Sequence, residues 1–197
     1  MRQMLVCGID EAGRGPLAGP VCAAAVVLGA EFPAEMLNDS KKLSETARER
    51  AAPFIREKAR AWGLGWASHT EIDEINILQA TLLAMRRAFD SMLKKFWNCA
   101  ANEFNAEAGS VIIDGLYTPE LPVRCEALVR ADAKVPAVMA ASILAKTARD
   151  NEMRRLALIY PQYKYEKHKG YPTKEHRELI ARFGPSPIQR RTFNFSV

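Results

Sequence analysis

Two short apolar runs in this 197-residue chain finish in the same way, as Gly8-Ile9-Asp10 and Ile112-Ile113-Asp114. An acidic residue at the end of a buried strand lies near the sheet edge where α/β ligand sites form. If the two strands are parallel neighbours, both carboxylates reach one crevice. Clustered carboxylates cannot all stay ionised without a compensating charge. Magnesium or manganese supplies that charge, and both prefer hard oxygen ligands. The competing reading is that each aspartate merely starts a turn and bonds nearby backbone N–H groups; spacing alone leaves both open. Adjacent strand residues face opposite sides, so Asp10 and Glu11 share a site only if the strand ends or bulges at Glu11. The following Ala-Gly-Arg-Gly is compatible with such an ending.

The remaining elements build an α/β layer architecture. Strands are expected at Leu5–Ile9, Val21–Leu28, Leu64–Ala67, Val111–Ile113 and Val123–Val129. Ser44 is a plausible N-cap for a helix to about Ala61, which Pro53 should kink or shorten. Ile75, Leu78, Leu82, Met85, Phe89, Met92 and Phe96 recur at helical spacing and read as core packing. The segment from Asn98 to Gly109 reads as a loop. Pro136 opens a helix to about Leu158, and Thr173 caps a last one ending near Gly184. Early strands joined by short turns predict an antiparallel start, and later strands separated by helices a parallel continuation.

The turn Gly13-Arg14-Gly15-Pro16-Leu17-Ala18 matches the GxGxxA form of a dinucleotide fingerprint, the signature of an oxidoreductase. That fingerprint needs a helix directly after the glycines, with its N-terminus on the pyrophosphate. Gly19-Pro20 interrupts any helix here and a strand-like run follows, so the oxidoreductase reading fails. A backbone cradle for sugar hydroxyls and phosphates remains, beside a tight turn with no ligand. The net charge is +5, and its whole excess lies between Lys146 and Arg191, which holds 12 Lys/Arg against 5 Asp/Glu. A basic region on a balanced chain is either a phosphate-binding footprint or a solvated surface. Cys7, Cys22, Cys99 and Cys125 have no CxxC spacing, so no zinc site or redox pair is signalled, and Cys7, Cys22 and Cys125 read as core thiols. The chain has no run of roughly 20 apolar residues and no signal-peptide pattern at its start. A cytoplasmic protein without membrane contact is the expectation, as a monomer and a single domain over residues 1–197, with 160–197 as a basic C-terminal extension.

Taken in order, GIDEAGRGPLAGPV from Gly8, NDSKKLS from Asn38, IDG from Ile113, AASILAKTARD from Ala140, HKGYPTKEH from His168 and QRRTF from Gln189 resemble ribonuclease HII, a type 2 ribonuclease H. The resemblance covers nearly the whole chain. It implies an RNase H-like fold, a five-stranded mixed sheet flanked by helices with a C-terminal helical extension. It also implies cleavage of the RNA strand in RNA–DNA hybrids and incision 5′ of single ribonucleotides embedded in duplex DNA, leaving 3′-hydroxyl and 5′-phosphate ends. On the same basis Asp10, Glu11, Asp114 and Asp132 are the catalytic set that binds Mg2+ or Mn2+. Gly13, Arg14 and Gly15 resemble the motif that senses the 2′-hydroxyl, and Tyr171 the tyrosine packed on the sugar. Lys41, Ser142 and Lys146 are similar to phosphate-contacting positions. Asp132 rests on the resemblance, since by spacing alone it is an ordinary loop or helix-entry acid.

Three departures stand out: Ala131 where the family usually has glycine, Pro53 inside the expected first helix, and a loop at 98–109 longer than usual. The chemistry expected of such a site is two-metal phosphodiester hydrolysis, with the ions roughly 4 Å apart. Discrimination must rest on the 2′-hydroxyl, the group that differs between RNA and DNA. His69 is expected to help start a helix, while His168 and His176 read as exposed helix or loop residues. The tail Gln189–Phe195 has a faint likeness to a sliding-clamp-binding peptide, although basic-Thr-Phe is ordinary family sequence there. The rival functions are an RNase H-fold DNA endonuclease and a hybrid-binding module without turnover.

Overall fold

A computed structural model describes residues 5–37, 44–99 and 109–193. Five strands form one mixed sheet: β1 (Val6–Ala12), β2 (Val21–Val27), β3 (Ala61–Ala67), β4 (Ser110–Asp114) and β5 (Arg124–Leu128), in the order β3-β2-β1-β4-β5. β1, β2 and β3 pair antiparallel, while β4 joins β1 and β5 joins β4 in parallel. This is the antiparallel start and parallel continuation that the connection lengths predict. Helix α1 (Glu45–Lys58) and α3 (Pro136–Ile159) cover one face, and α2 (His69–Cys99) covers the other. Side chains alternate accordingly. Cys7, Ile9, Val111 and Ile113 enter the α2 core, whereas Ala12, Ala24 and Val26 pack with α3 residues such as Ala140 and Leu144.

Local chemistry sets the helix ends. Ser44 Oγ accepts from Ala47 N at 3.3 Å and Thr173 Oγ1 from His176 N at 3.2 Å, both N-cap contacts. Pro53 lies inside α1 without ending it, but the helix stops at Lys58 and Ala61 already belongs to β3. α2 begins at His69 and is broken at Asn76, whose φ of 68° is left-handed. Asn76 Oδ1 caps the resumed helix by accepting from Leu78 N and Gln79 N. The break resets the helical phase, so Ile75 is exposed instead of joining the stripe that buries Met85, Phe89, Met92 and Phe96. The expected loop at 98–109 falls mainly outside the described residues.

α3 sits so close to the sheet that Gly8 is needed beneath it. A Cβ there would lie 2.2 Å from Ala137 C and Val138 N. Beyond α3 come a 3-10 turn (Pro161–Tyr163), α4 (Tyr165–His168) and α5 (Lys174–Phe183). Tyr163, Tyr165, Leu179 and Ile188 join Ala18, Met153 and Leu156 in a separate apolar cluster. This cluster fastens the C-terminal helices to the Gly13–Pro20 turn. Cys7 and Cys22 are fully buried, and burial pushes both thiols up; Cys125 is half-buried. Among the described residues no helix is long and apolar enough to cross a membrane.

Candidate metal and nucleic-acid site

The parallel register pairs Ile9 with Ile113, so Asp10 and Asp114 follow side by side, Asp10 inside β1 and Asp114 at the end of β4. Asp10 is buried. Burial and the Glu11 charge, with a smaller push from Asp114, hold its carboxyl well above the usual range, against hydrogen bonds from the Ser142 hydroxyl and the Glu11 N–H. Burial also raises Glu11, opposed by Arg14, whose NH1 donates to Glu11 Oε1 at 3.3 Å; Asp114 adds to the rise. β1 neither ends nor bulges at Glu11. Its ladder with β2 runs on through Ala12, which corrects the sequence expectation. The Glu11 and Asp114 charges nevertheless both bear on Asp10, and the Asp114 charge bears on Glu11.

Asp114 Oδ1 accepts from Ala131 N at 2.7 Å. Asp132, half-buried, follows in a 3-10 turn (Ala131–Ala133) that leads into α3. The left-handed residue of that turn is Arg130, with φ 58°. Position 131 therefore needs no glycine, and the Ala131 methyl is buried. Among the described residues no three acidic, histidine or cysteine side chains converge into a finished cage. The donor set still fits a hard divalent cation. It consists of carboxylate oxygens, two of its members are raised by crowding and burial, and Glu11 Oε2 is buried without a hydrogen-bond partner.

The other expected residues gather beside this cluster, save Lys41, which lies outside the described residues. Ser142 and Lys146 are one turn apart on α3. Lys146 Nζ bonds Asp150 Oδ1 at 2.8 Å and lies 5.5 Å from the Tyr171 ring centre. The Tyr171 ring borders the glycine turn, since a Cβ on Gly15 would meet its Cε1 at 3.7 Å. Gly13 has another purpose. With φ at 101°, a Cβ there would fall 2.0 Å from Arg149 Nε, so the missing side chain makes room for an arginine and not for a ligand.

His168 and His176 are not exposed, contrary to the sequence reading. They are buried and stacked at 4.3 Å, because the Tyr171 loop folds back over them. His168 Nδ1 accepts from Gly170 N at 3.2 Å, and His176 Nδ1 donates to Tyr171 O at 3.0 Å. Sequence reasoning also missed Asp150, Arg149 and Arg190. For Asp150 the signal was its i,i+4 spacing from Lys146.

A five-stranded mixed sheet in this order, with acids on its two central parallel strands, is the RNase H-like fold. The sequence profile of ribonuclease HII matches residues 7–195. The chain is 54% identical to the ribonuclease HII of Treponema denticola, covering 96% of this chain and 98% of that one. It is 52% identical to that of Dechloromonas aromatica, over 96% and 90%. Its fold is similar to the ribonuclease HII of Archaeoglobus fulgidus solved in complex with PCNA, with a TM-score of 0.70, 27% identity, and 98% and 97% of the two chains covered. The chain belongs to the ribonuclease HII family, and it is an endoribonuclease of the ribonuclease H type.

Proposed function

We propose that this chain hydrolyses the RNA strand of RNA–DNA hybrids and also incises duplex DNA on the 5′ side of a single embedded ribonucleotide, leaving 3′-hydroxyl and 5′-phosphate ends. Asp10, Glu11, Asp114 and Asp132 hold Mg2+ or Mn2+. The observation that carries this reading is the crowding of Asp10, Glu11 and Asp114, with Glu11 Oε2 buried and unpartnered. When bound, a pair of divalent ions supplies charge neutralisation at the scissile phosphate and an activated water. The protein's own groups position the strand. Lys146, held by Asp150, offers a cation to the phosphodiester, and Ser142 orients Asp10. Gly13, Arg14 and Gly15 form the turn that meets the ribose, with Tyr171 beside Gly15. The reading takes the enzyme as a monomer, with a sliding clamp as the further partner it allows, by likeness to the Archaeoglobus fulgidus enzyme solved with PCNA.

The test is cleavage of a duplex carrying one ribonucleotide against an identical all-DNA duplex, with magnesium and manganese compared. Incision only of the ribonucleotide-bearing strand is expected. Equal cutting of the all-DNA duplex would make the protein a DNA endonuclease. Hybrid binding with no turnover in either metal would make it a binding module.

A further inference from the structure

We propose that Arg149 and Arg190 are positioning residues that aim the Gly13–Gly15 backbone at the ribose, so that discrimination between RNA and DNA depends on two arginines that never touch the nucleic acid. The inference rests on reading that turn as the ribose sensor.

Both side chains are fully buried. Buried arginines are ordinarily paired with a carboxylate. These two instead bond main-chain carbonyls. Arg149 donates through Nε to Pro20 O at 3.0 Å, through NH2 to Ala18 O at 3.3 Å and through NH1 to Lys169 O at 3.0 Å. Arg190 donates through Nε to Gly19 O at 2.9 Å, through NH1 to Arg14 O at 2.9 Å and through NH2 to Gly13 O at 2.6 Å and Pro20 O at 3.3 Å. Five carbonyls of the one turn therefore point inward at two guanidinium groups. Burial presses both guanidinium groups down from their usual range, Arg190 to about 9 with Arg149's charge contributing. So costly an arrangement needs its donors matched, and each planar fork here meets three or four carbonyls at once where an ammonium cannot.

Peptide geometry gives the consequence. In a planar trans peptide the N–H points opposite to the C=O. The Gly13 and Arg14 carbonyls face Arg190, so the N–H groups of Arg14 and Gly15 face away from it. Consecutive N–H groups aimed in one direction make a concave site for an oxygen-bearing ligand. Gly15 also borders Tyr171. The arginines thus fix which way the cradle opens, and Arg149 also joins it to the Tyr171 loop through Lys169 O.

The test uses Arg190→Lys and Arg149→Lys, which keep the charge and lose the fork. KM is measured on the duplex with one embedded ribonucleotide, and the identical all-DNA duplex serves as competitor to give Ki. The proposal expects Ki within about twofold of the parent, since the phosphate grip is untouched, and Ki/KM at least about tenfold lower, roughly the loss of one well-placed hydrogen bond. A purely structural role would lower the active fraction and leave Ki/KM unchanged, and that result overturns the proposal. If the lysine variants fail to fold, Asp73→Ala decides. It frees Arg191 N and Thr192 N at the surface and loosens the segment carrying Arg190. A fall of about threefold in Ki/KM supports the proposal, and no change refutes it. Gly15→Ala separates the two readings. Reduced discrimination there with intact discrimination in the arginine variants defeats this inference alone, whereas intact discrimination in Gly15→Ala defeats the ribose-sensor reading itself.

Discussion

Gly8→Ala is the substitution for which the fold makes the most quantitative claim. The added Cβ would sit 2.2 Å from Ala137 C and Val138 N, whereas ordinary contact begins at 3.4 Å. Both neighbours are backbone atoms and cannot rotate away. The first turn of α3 must therefore retreat from β1 by roughly 1 Å, at an overpacking cost near the upper end of the usual range, about 3 kcal/mol. For a chain of this length that lowers Tm by about 6–12 °C. The displacement also reaches the chemistry. α3 carries Ser142 and Lys146, and the turn before it carries Asp132 and the Ala131 N–H that anchors Asp114. A shift of about 1 Å at such groups costs on the order of 100-fold in rate. The assay pairs urea denaturation, read at constant m, with single-turnover cleavage of the ribonucleotide-bearing duplex. Gly29→Ala is the control, since a Cβ there meets nothing within 4 Å and should change stability by less than about 0.5 kcal/mol. If Gly8→Ala keeps both its urea midpoint and its cleavage rate, the close seating of α3 and its role in placing the site are both wrong.

Asp10→Asn removes one of three crowded acids while keeping the side-chain shape. It should lower cleavage at least about 100-fold without lowering the urea midpoint, because a repulsion is relieved as hydrogen bonds are kept; a lower midpoint would show that the carboxylates are not in conflict. Burial holds His176 neutral, at about 4 against an ordinary 6.5. The unfolded chain takes up the proton first, so stability is complete above pH 6.5 and falls as pH drops toward 4, by at most roughly 3 kcal/mol. His176→Gln should flatten the difference in urea midpoint across that window, and an unchanged slope would mean that the stacked pair at His168 is not protected from acid. Affinity for hybrid should fall steeply with salt through the exposed cations of the C-terminal quarter; titration at three salt concentrations reads the slope, and a flat one would remove Lys146 and its neighbours from the phosphate grip.

What could be read from the sequence was whatever the chain decides locally. Ser44, Pro136 and Thr173 mark helix starts by their own chemistry, and the two Ile-Asp pairs mark the central strands, although β1 runs on past its own to Ala12. Apart from the length of β1, which its neighbour β2 extends, the misreadings involve partners far away along the chain or a single backbone angle. One left-handed residue, Asn76, shifts the phase of a stripe that periodicity reads as continuous. His168 and His176 look like surface residues until the Tyr171 loop closes over them. The basic C-terminal quarter was read as one surface, yet Arg149, Arg190 and Lys169 are buried within it. The carbonyls that hold the two arginines lie as far as 177 positions away in sequence, so no local pattern could distinguish them from phosphate-binding residues.

That redistribution of charge bears on how the site works. The Gly13–Pro20 turn lies between a knot of acids at one end, Asp10, Glu11 and Asp114, and two buried guanidinium groups beneath it. Each group is costly alone, since like charges crowd the first and desolvation presses on the second. The turn keeps them in separate compartments by pointing its carbonyls at the arginines. Pairing either buried arginine with these acids would set a second cation against the groups that a divalent ion needs; the arginine that does pair there is the exposed Arg14, on Glu11 Oε1. Arg149 and Arg190 are instead satisfied by backbone carbonyls, and that arrangement directs the outward N–H groups of the turn. On the proposed reading, the metal-binding acids and the ribose-facing turn then depend on one distribution of charge.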